Sequence, residues 1–464
     1  MHVKSAAGVA FDTEFSIVII GGGACGLTAA LTLRDAGVAV LVLERDLAPA
    51  GSTALSSGFI PACATPWQQA RGVDDTIDLM AGDIQAQAKD LADPDIVELC
   101  CRHSSPTLEW LAEKHGIPFV LIEGFLYTGQ RRLRMHAVPE RTGAALMARL
   151  LSAVEAVEAD ILCGAEVCDL YADGDGRVQG VGFCRPDGSE ERVGCQALLL
   201  ACSGFGGNRD MVHRHIPEMA EADYFGHAGN RGDAVLWGEQ LGAEIRYMGA
   251  YQGHASVAVP HGILITWAVM REGGIQVNAE GRRFADESRG YSEHSVNVLR
   301  QPGGAVWDIY DARIHALAMD FDDYRHAEAA GAVKTAADEA ALSRSLGLPE
   351  TALGETLAMV RNWAEGDGQD PFGRRFDEKP VLTPPYYAVK VGASLFHTQG
   401  GLAIDTSARV LRRSGGVLPN LFAGGGAACG VSGPEVWGYS SGNGLLTAVM
   451  LGRVAGESAA ALVS

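Results

Sequence analysis

Residues 16–45 admit one supersecondary arrangement, and it constrains the fold more than any other stretch of the chain. Ser16-Ile17-Val18-Ile19-Ile20 is a continuous β-branched run, as expected of a strand buried on both faces. It runs straight into Gly21-Gly22-Gly23-Ala24-Cys25-Gly26. A helical pattern follows from Leu27 to Ala36 and is closed by Gly37. A second apolar strand, Val38 to Leu43, ends in Glu44 and Arg45. Gly21, Gly23 and Gly26 form a Gly-x-Gly-x-x-Gly turn, and Glu44 stands 18 residues past the last glycine. Such a turn lets backbone approach a pyrophosphate at a helix N-terminus, while the acid reaches ribose hydroxyls. The unit predicts a bound dinucleotide, with Gly21, Gly23, Ala24, Cys25, Gly26, Glu44 and Arg45 as contacts.

Three later segments narrow the dinucleotide to FAD, which is long and is held along its whole length. The first is the small-residue loop Gly51 to Gly58, with Gly51, Ser52, Thr53, Ser56, Ser57 and Gly58 as candidates. The second is a strand and tight turn from Ala197 to Gly206, offering Ala201, Ser203 and Gly204. The third, Leu418 to Gly426, contributes Gly425. Backbone N–H groups around Gly442 and Asn443, with Leu445 and Leu446, open the final helix and suit a reduced flavin's negative charge. Val167 and Asn208 complete the expected cofactor contacts.

At 464 residues and 48.8 kDa, two domains are expected. A net charge of −20 argues against nucleic acid, whose phosphates need a basic face. The N-terminus lacks a signal-peptide pattern, and the run Ile17–Ile20 is too short to span a bilayer, so no transmembrane segment is expected. Ten cysteines without a Cys-x-x-Cys pair suggest reduced thiols in a cytoplasmic protein, with neither c-type haem nor a metal site.

The chain resembles the flavoprotein family of soluble fumarate reductases, succinate dehydrogenase flavoprotein subunits and 3-ketosteroid dehydrogenases. Besides the segments above, the likeness rests on Tyr251-Gln252-Gly253-His254, on Asn278 to Glu287, on Phe396 to Asp405, and on Gly442 to Leu446. It implies an α/β fold, a Rossmann-like FAD-binding domain (GR2-type) interrupted by an α+β catalytic cap. The expected boundaries are 1–247 and 386–464 for the FAD domain and 248–385 for the cap. Members with covalent FAD carry a histidine in the loop represented by Gly51–Gly58. This loop has none, which implies non-covalent FAD. A glutamate often found near Gly425–Gly426 is also missing.

The branches of that family differ in charge. A fumarate reductase resembles a site built from arginines, one after the Asp-Glu of the Arg-Arg-Phe motif and one before the last glycine turn. Here tyrosine stands at both places, Tyr291 and Tyr439. Glu-Ser-x-x-Tyr is instead similar to 3-ketosteroid dehydrogenases, whose tyrosine removes a proton beside the ketone. The resemblance thus implies a small cyclic ketone, a 3-oxosteroid or smaller oxocyclohexane, with Tyr291 as base. Tyr439 and Ser441 would stand on the carbonyl side, and His254 and His397 would face flavin or substrate. The electron acceptor would be oxygen, a quinone or a separate carrier. Reduction of an unsaturated acid stays open as an alternative, as does a non-catalytic flavin-binding regulator. Gly438-Tyr439-Ser440-Ser441-Gly442 mimics a hydrolase nucleophile elbow, but no histidine follows it. Arg131, Arg132 and Arg134 read as solvated surface or, more sharply, as a carboxylate anchor.

Overall fold

The computed structural model describes every residue of the chain except Phe125 and Thr128. The chain forms two compact units, one of residues 1–216, 226–251 and 397–464, the other of 217–225 and 252–396.

The first unit is built on parallel strands. Thr13–Ile20 pairs with Val40–Leu43 on one side and with Glu190–Leu200 on the other, and Val417–Ala423 lies beyond the latter. Ile17, Val18, Ile19, Val42, Leu198 and Leu421 are fully buried, so these strands read as apolar runs rather than alternations. Helix Ala24–Asp35 covers the sheet and packs on the C-terminal helix Asn443–Val463. The contact is close because Gly452 carries no side chain; a Cβ there would overlap the Cys25 carbonyl. By length and hydropathy (1.4) that last helix is apolar enough to cross a membrane, yet 61% of its window is buried inside the fold. That is the burial of a core helix.

The second unit is a mixed sheet with helices. Strand Tyr386–Thr398 pairs antiparallel with Ala305–Asp311 and with Val333–Ala336, and Ile275–Val277 continues the sheet. Those pairings draw the strand's residues up to Phe396 into this unit. A cap closing at residue 385 would cut the strand from its partners. Helix Tyr291–Leu299 lies close to strand Tyr251–Ala258, where Gly253 N–H donates to Ser292 Oγ at 2.9 Å.

Candidate flavin site and catalytic side chains

The phosphate loop is shaped by backbone contact. Gly21 has φ +106°, and a Cβ there would lie 2.5 Å from the Ala201 carbonyl oxygen; a Cβ on Gly26 would overlap the Gly21 carbonyl. Glu44 braces the turn, its Oε2 accepting from Gly22 N–H at 2.8 Å and its Oε1 from Asp46 N–H at 2.9 Å. Helix Ala24–Asp35 starts after Gly23 without a side-chain cap, and among the described residues the one side chain that meets an N–H of its first turn is Thr53, whose Oγ1 accepts from Ala24 N–H at 3.1 Å. The positive end of the helix is therefore open to an anion.

Neighbouring segments extend this cradle. Gly51–Leu55 is one helical turn; Ser56 Oγ donates to Thr53 O at 2.7 Å and accepts from Gly58 N–H at 3.1 Å, while Ser57 is exposed. Asn230 Nδ2 donates to Ser52 Oγ at 2.7 Å, and Arg45 Nη1 donates to Gly229 O at 3.0 Å. Ala201 follows strand Glu190–Leu200 and donates its N–H to Ile20 O at 2.9 Å, and Ser203 comes next but one with φ +66°. Gly204 and Gly426 touch backbone to backbone next to Gly425. Val167 is buried in strand Glu166–Ala172. Asn208 caps helix Arg209–His215, accepting from Met211 N–H at 3.2 Å and donating to Arg231 O at 3.0 Å. Both ends of its amide thus serve the protein. An uncapped helix start, glycine-tight backbone and a braced ribose-side acid together fit a bound dinucleotide.

In the same unit a chain of hydrogen bonds leads to His397. Asn443 Nδ2 donates to Ser432 Oγ at 3.0 Å, Ser432 Oγ donates to Gln399 Oε1 at 3.0 Å, and Gln399 Nε2 meets His397 Nδ1 at 3.0 Å. Asn443, Ser432 and Gln399 are almost wholly buried. Because Gln399 Nε2 can only donate, Nδ1 accepts and the imidazole proton sits on Nε2. A longer 3.3 Å approach of Nδ1 to the Thr398 carbonyl would demand the opposite tautomer. The shorter bond from a committed donor decides. His397 itself is half-buried, and the surrounding protein pushes it down to about 4, so it is neutral near pH 7. Its Nε2 lies under the first turn of helix Asn443–Val463, where a Cβ on Gly444 would come within 3.0 Å. A helix N-terminus further disfavours a cation there. Tyr439 meets the ring edge-on at 5.6 Å. Gly442 precedes the helix with φ +85°; Ser441, Leu445 and Leu446 are buried beside it, and the Ser441 carbonyl accepts from Gln130 Nε2 at 3.3 Å.

The second unit holds the other pair. Tyr291 is the first residue of its helix, after Gly290, and its ring stacks on His254 with centroids 4.7 Å apart. His254 also stacks on Phe396 at 5.3 Å and meets Trp267 edge-on at 5.9 Å. Ser256 N–H donates to His254 Nδ1 at 3.1 Å, which again leaves the proton on Nε2, and burial pushes this histidine down to about 3.

The match to protein families covers residues 16–445 and is to the FAD binding domain. The chain belongs to that family. It is an FAD-dependent oxidoreductase with the mixed α/β fold of its flavoprotein neighbours. Among curated proteins it is 28% identical to a probable fumarate reductase, Ifc3, of Shewanella frigidimarina, over 98% of this chain and 76% of that protein. Among solved structures it resembles the open form of a flavocytochrome c3 fumarate reductase, with TM-score 0.83 and 27% identity over 99% of this chain and 80% of the other. It equally resembles 3-ketosteroid Δ4-(5α)-dehydrogenase from Rhodococcus jostii RHA1 bound to 4-androstene-3,17-dione, with TM-score 0.80 and 26% identity over 99% of this chain and all of that one.

The buried arginines of the flavoprotein's arginine-rich motifs are committed to acids. Arg283 binds Glu287 (2.6 Å) and Asp370 (2.6 Å), and Arg374 adds a bond to Glu287 at 3.1 Å. Although burial opposes its ionisation, these guanidinium groups hold Glu287 down to about 2. Arg289 leans on Asp286 at 3.6 Å. The carboxylate-anchor reading is corrected by the same logic for Arg131 and Arg134, while Arg132 donates to the backbone carbonyls of Asp74 and Arg131. Arg134 is buried between Asp75 (2.7 Å) and Asp83 (2.5 Å), and Arg131 also pairs with Asp83. Sequence reasoning missed Gln399 as the partner of His397 and Ser432 as the partner of Gln399. Gln399 stood in a motif already singled out, but no local pattern marks a hydrogen bond to residue 432.

Proposed function

We propose that this enzyme holds FAD without covalent attachment and introduces a C=C bond next to the carbonyl of a cyclic ketone, a 3-oxosteroid or smaller oxocyclohexane. The observation that carries this reading is the lack, among the described residues, of free charge around two tyrosine–histidine pairs, one in each unit. Tyrosines 291 and 439 stand beside neutral histidines, and the buried Arg283 of the adjoining motif is tied to Glu287 and Asp370. A dicarboxylate wants charge-assisted, bidentate partners. A ketone wants neutral donors and a base.

The residues divide that work. Tyr291 takes the α-proton at its phenol oxygen, and its place at a helix N-terminus favours the anion it must become. His254 and Phe396 hold the plane of the stack in which Tyr291 lies. Tyr439, Ser441 and the Nε2–H of His397 are assigned to the ketone oxygen, where they would stabilise the developing enolate. When bound, FAD supplies the acceptor for the hydride leaving the neighbouring carbon. Gly21, Gly23, Gly26, Glu44 and the Gly51–Gly58 loop are assigned to its phosphates, ribose and flavin, and that loop contains no histidine for a covalent link.

Reduction of an unsaturated acid is the competing reading, favoured by the fumarate reductases among the relatives. One anaerobic experiment separates the two. A saturated 3-oxosteroid or cyclohexanone should bleach the oxidised flavin. Reoxidation of the reduced enzyme by fumarate or acrylate, with no bleaching by any ketone, would replace the proposal with the acid reductase.

A further inference from the structure

In the first unit, Cys168 and Cys184 lie on neighbouring antiparallel strands, Glu166–Ala172 and Val178–Cys184, with their Sγ atoms 2.9 Å apart. The register explains the approach. Val167 pairs with Phe183 and Asp169 with Gly182, so Cys168 is the extra residue of a bulge, a device that re-aims a side chain. A disulfide requires about 2.05 Å between sulfurs, so closure moves each sulfur only about 0.4 Å. Both thiols are half-buried, within reach of small oxidants and reductants, whereas Cys25, Cys63, Cys100, Cys101 and Cys429 are buried.

We propose that Cys168 and Cys184 form a redox-modification site, a dithiol that closes reversibly to a cross-strand disulfide under peroxide. The oxidant is hydrogen peroxide, the product released whenever a reduced flavin passes two electrons to dioxygen. One thiolate attacks a peroxide oxygen, the O–O bond breaks, and hydroxide leaves a sulfenic acid. The second thiol attacks that sulfur, forming the S–S bond and expelling water as the thiol proton joins the departing oxygen. Two thiols are oxidised by two electrons and one peroxide becomes two waters. Burial and the adjoining Cys184 sulfur push Cys168 up to about 12, so closure speeds up as pH rises. The site stands apart from the substrate reading. It flanks Glu166, which pairs with Arg231, and Val167 in the cofactor-binding unit.

The test treats the FAD-loaded enzyme with hydrogen peroxide, blocks remaining thiols with a maleimide, and maps peptides by mass spectrometry. The expected result is a 168–184 linked peptide two hydrogens lighter than the free pair, a loss of two titratable thiols, and restoration of both by dithiothreitol. Cys184→Ser should lose this link; Cys168→Ser repeats the test from the other strand if the first variant does not fold. Maleimide on both cysteines of the oxidised protein, a link to a different partner, or sulfonic acid without a link would overturn the proposal.

Discussion

Burial keeps a histidine neutral in each unit, but the two units fix its tautomer by different means. In the first, His397 is oriented by three side chains in series, ending on Asn443. In the second, His254 takes one backbone N–H, and its ring plane is set by Tyr291 and Phe396. A backbone donor cannot be removed by changing a side chain, so the His254 tautomer is insensitive to substitution while its tilt is not. The His397 tautomer is the reverse, open to single changes at buried residues that never touch a ligand.

The largest expected effect comes from the stacked pair. Tyr291→Phe keeps the ring on His254 but deletes the proton acceptor, and kcat toward the best ketone should fall by about 10²–10⁴. Unchanged kcat would remove Tyr291 from the chemistry. Next is the relay. Gln399→Leu removes the donor to His397 Nδ1 and the acceptor for the Ser432 hydroxyl, at roughly 1–3 kcal/mol of stability, and kcat toward the ketone should fall as the His397 tautomer is released. Gln399→Glu should be more telling, because a carboxylate accepts from Nδ1–H and favours the imidazolium. The acid limb of its pH–rate profile should then move upward, and an unmoved limb would deny the relay its role.

Acid stability distinguishes the units as a third test. His136 and His397 in the first unit stay unprotonated until about 4, and His254 and His294 in the second until about 3 and about 4. The unfolded chain takes up those protons near pH 6.5, so stability falls as pH drops through that window. Asp308, in the second unit, works the other way. Burial pushes it up to about 7, and below that the folded state binds a proton that the unfolded chain refuses until about pH 4. Hydrogen exchange between pH 7 and 4 should therefore show the first unit weakening more, and Asp308→Asn should steepen the loss in the second. The smallest effect expected is from Phe396→Leu, about 1 kcal/mol of stacking, seen as a modest drop in thermal midpoint with the Gln399-dependent pH profile intact.

The parallel strands and phosphate turn were legible in the sequence because each is written in contiguous residues, Ile17 to Gly26 and Val38 to Glu44. The tyrosines were legible as substitutions within recognised motifs. What stayed hidden depends on residues far apart. Gln399 finds Ser432 and Asn443 only after the strand and final helix are in place. Arg134 looked available beside Arg131 and Arg132 because Asp75 and Asp83, its partners, lie more than fifty residues upstream. Strand Tyr386–Thr398 reads as apolar in isolation, and only its pairing with Ala305–Asp311 assigns it to the second unit.

The contact between helices Ala24–Asp35 and Asn443–Val463 sets a schedule for synthesis. The dinucleotide turn is translated before the strand that flanks Leu198, Val417–Ala423, and before the helix that covers Cys25, Asn443–Val463. Until both have been made, the cradle lacks one strand of its sheet and the helix packed over its turn.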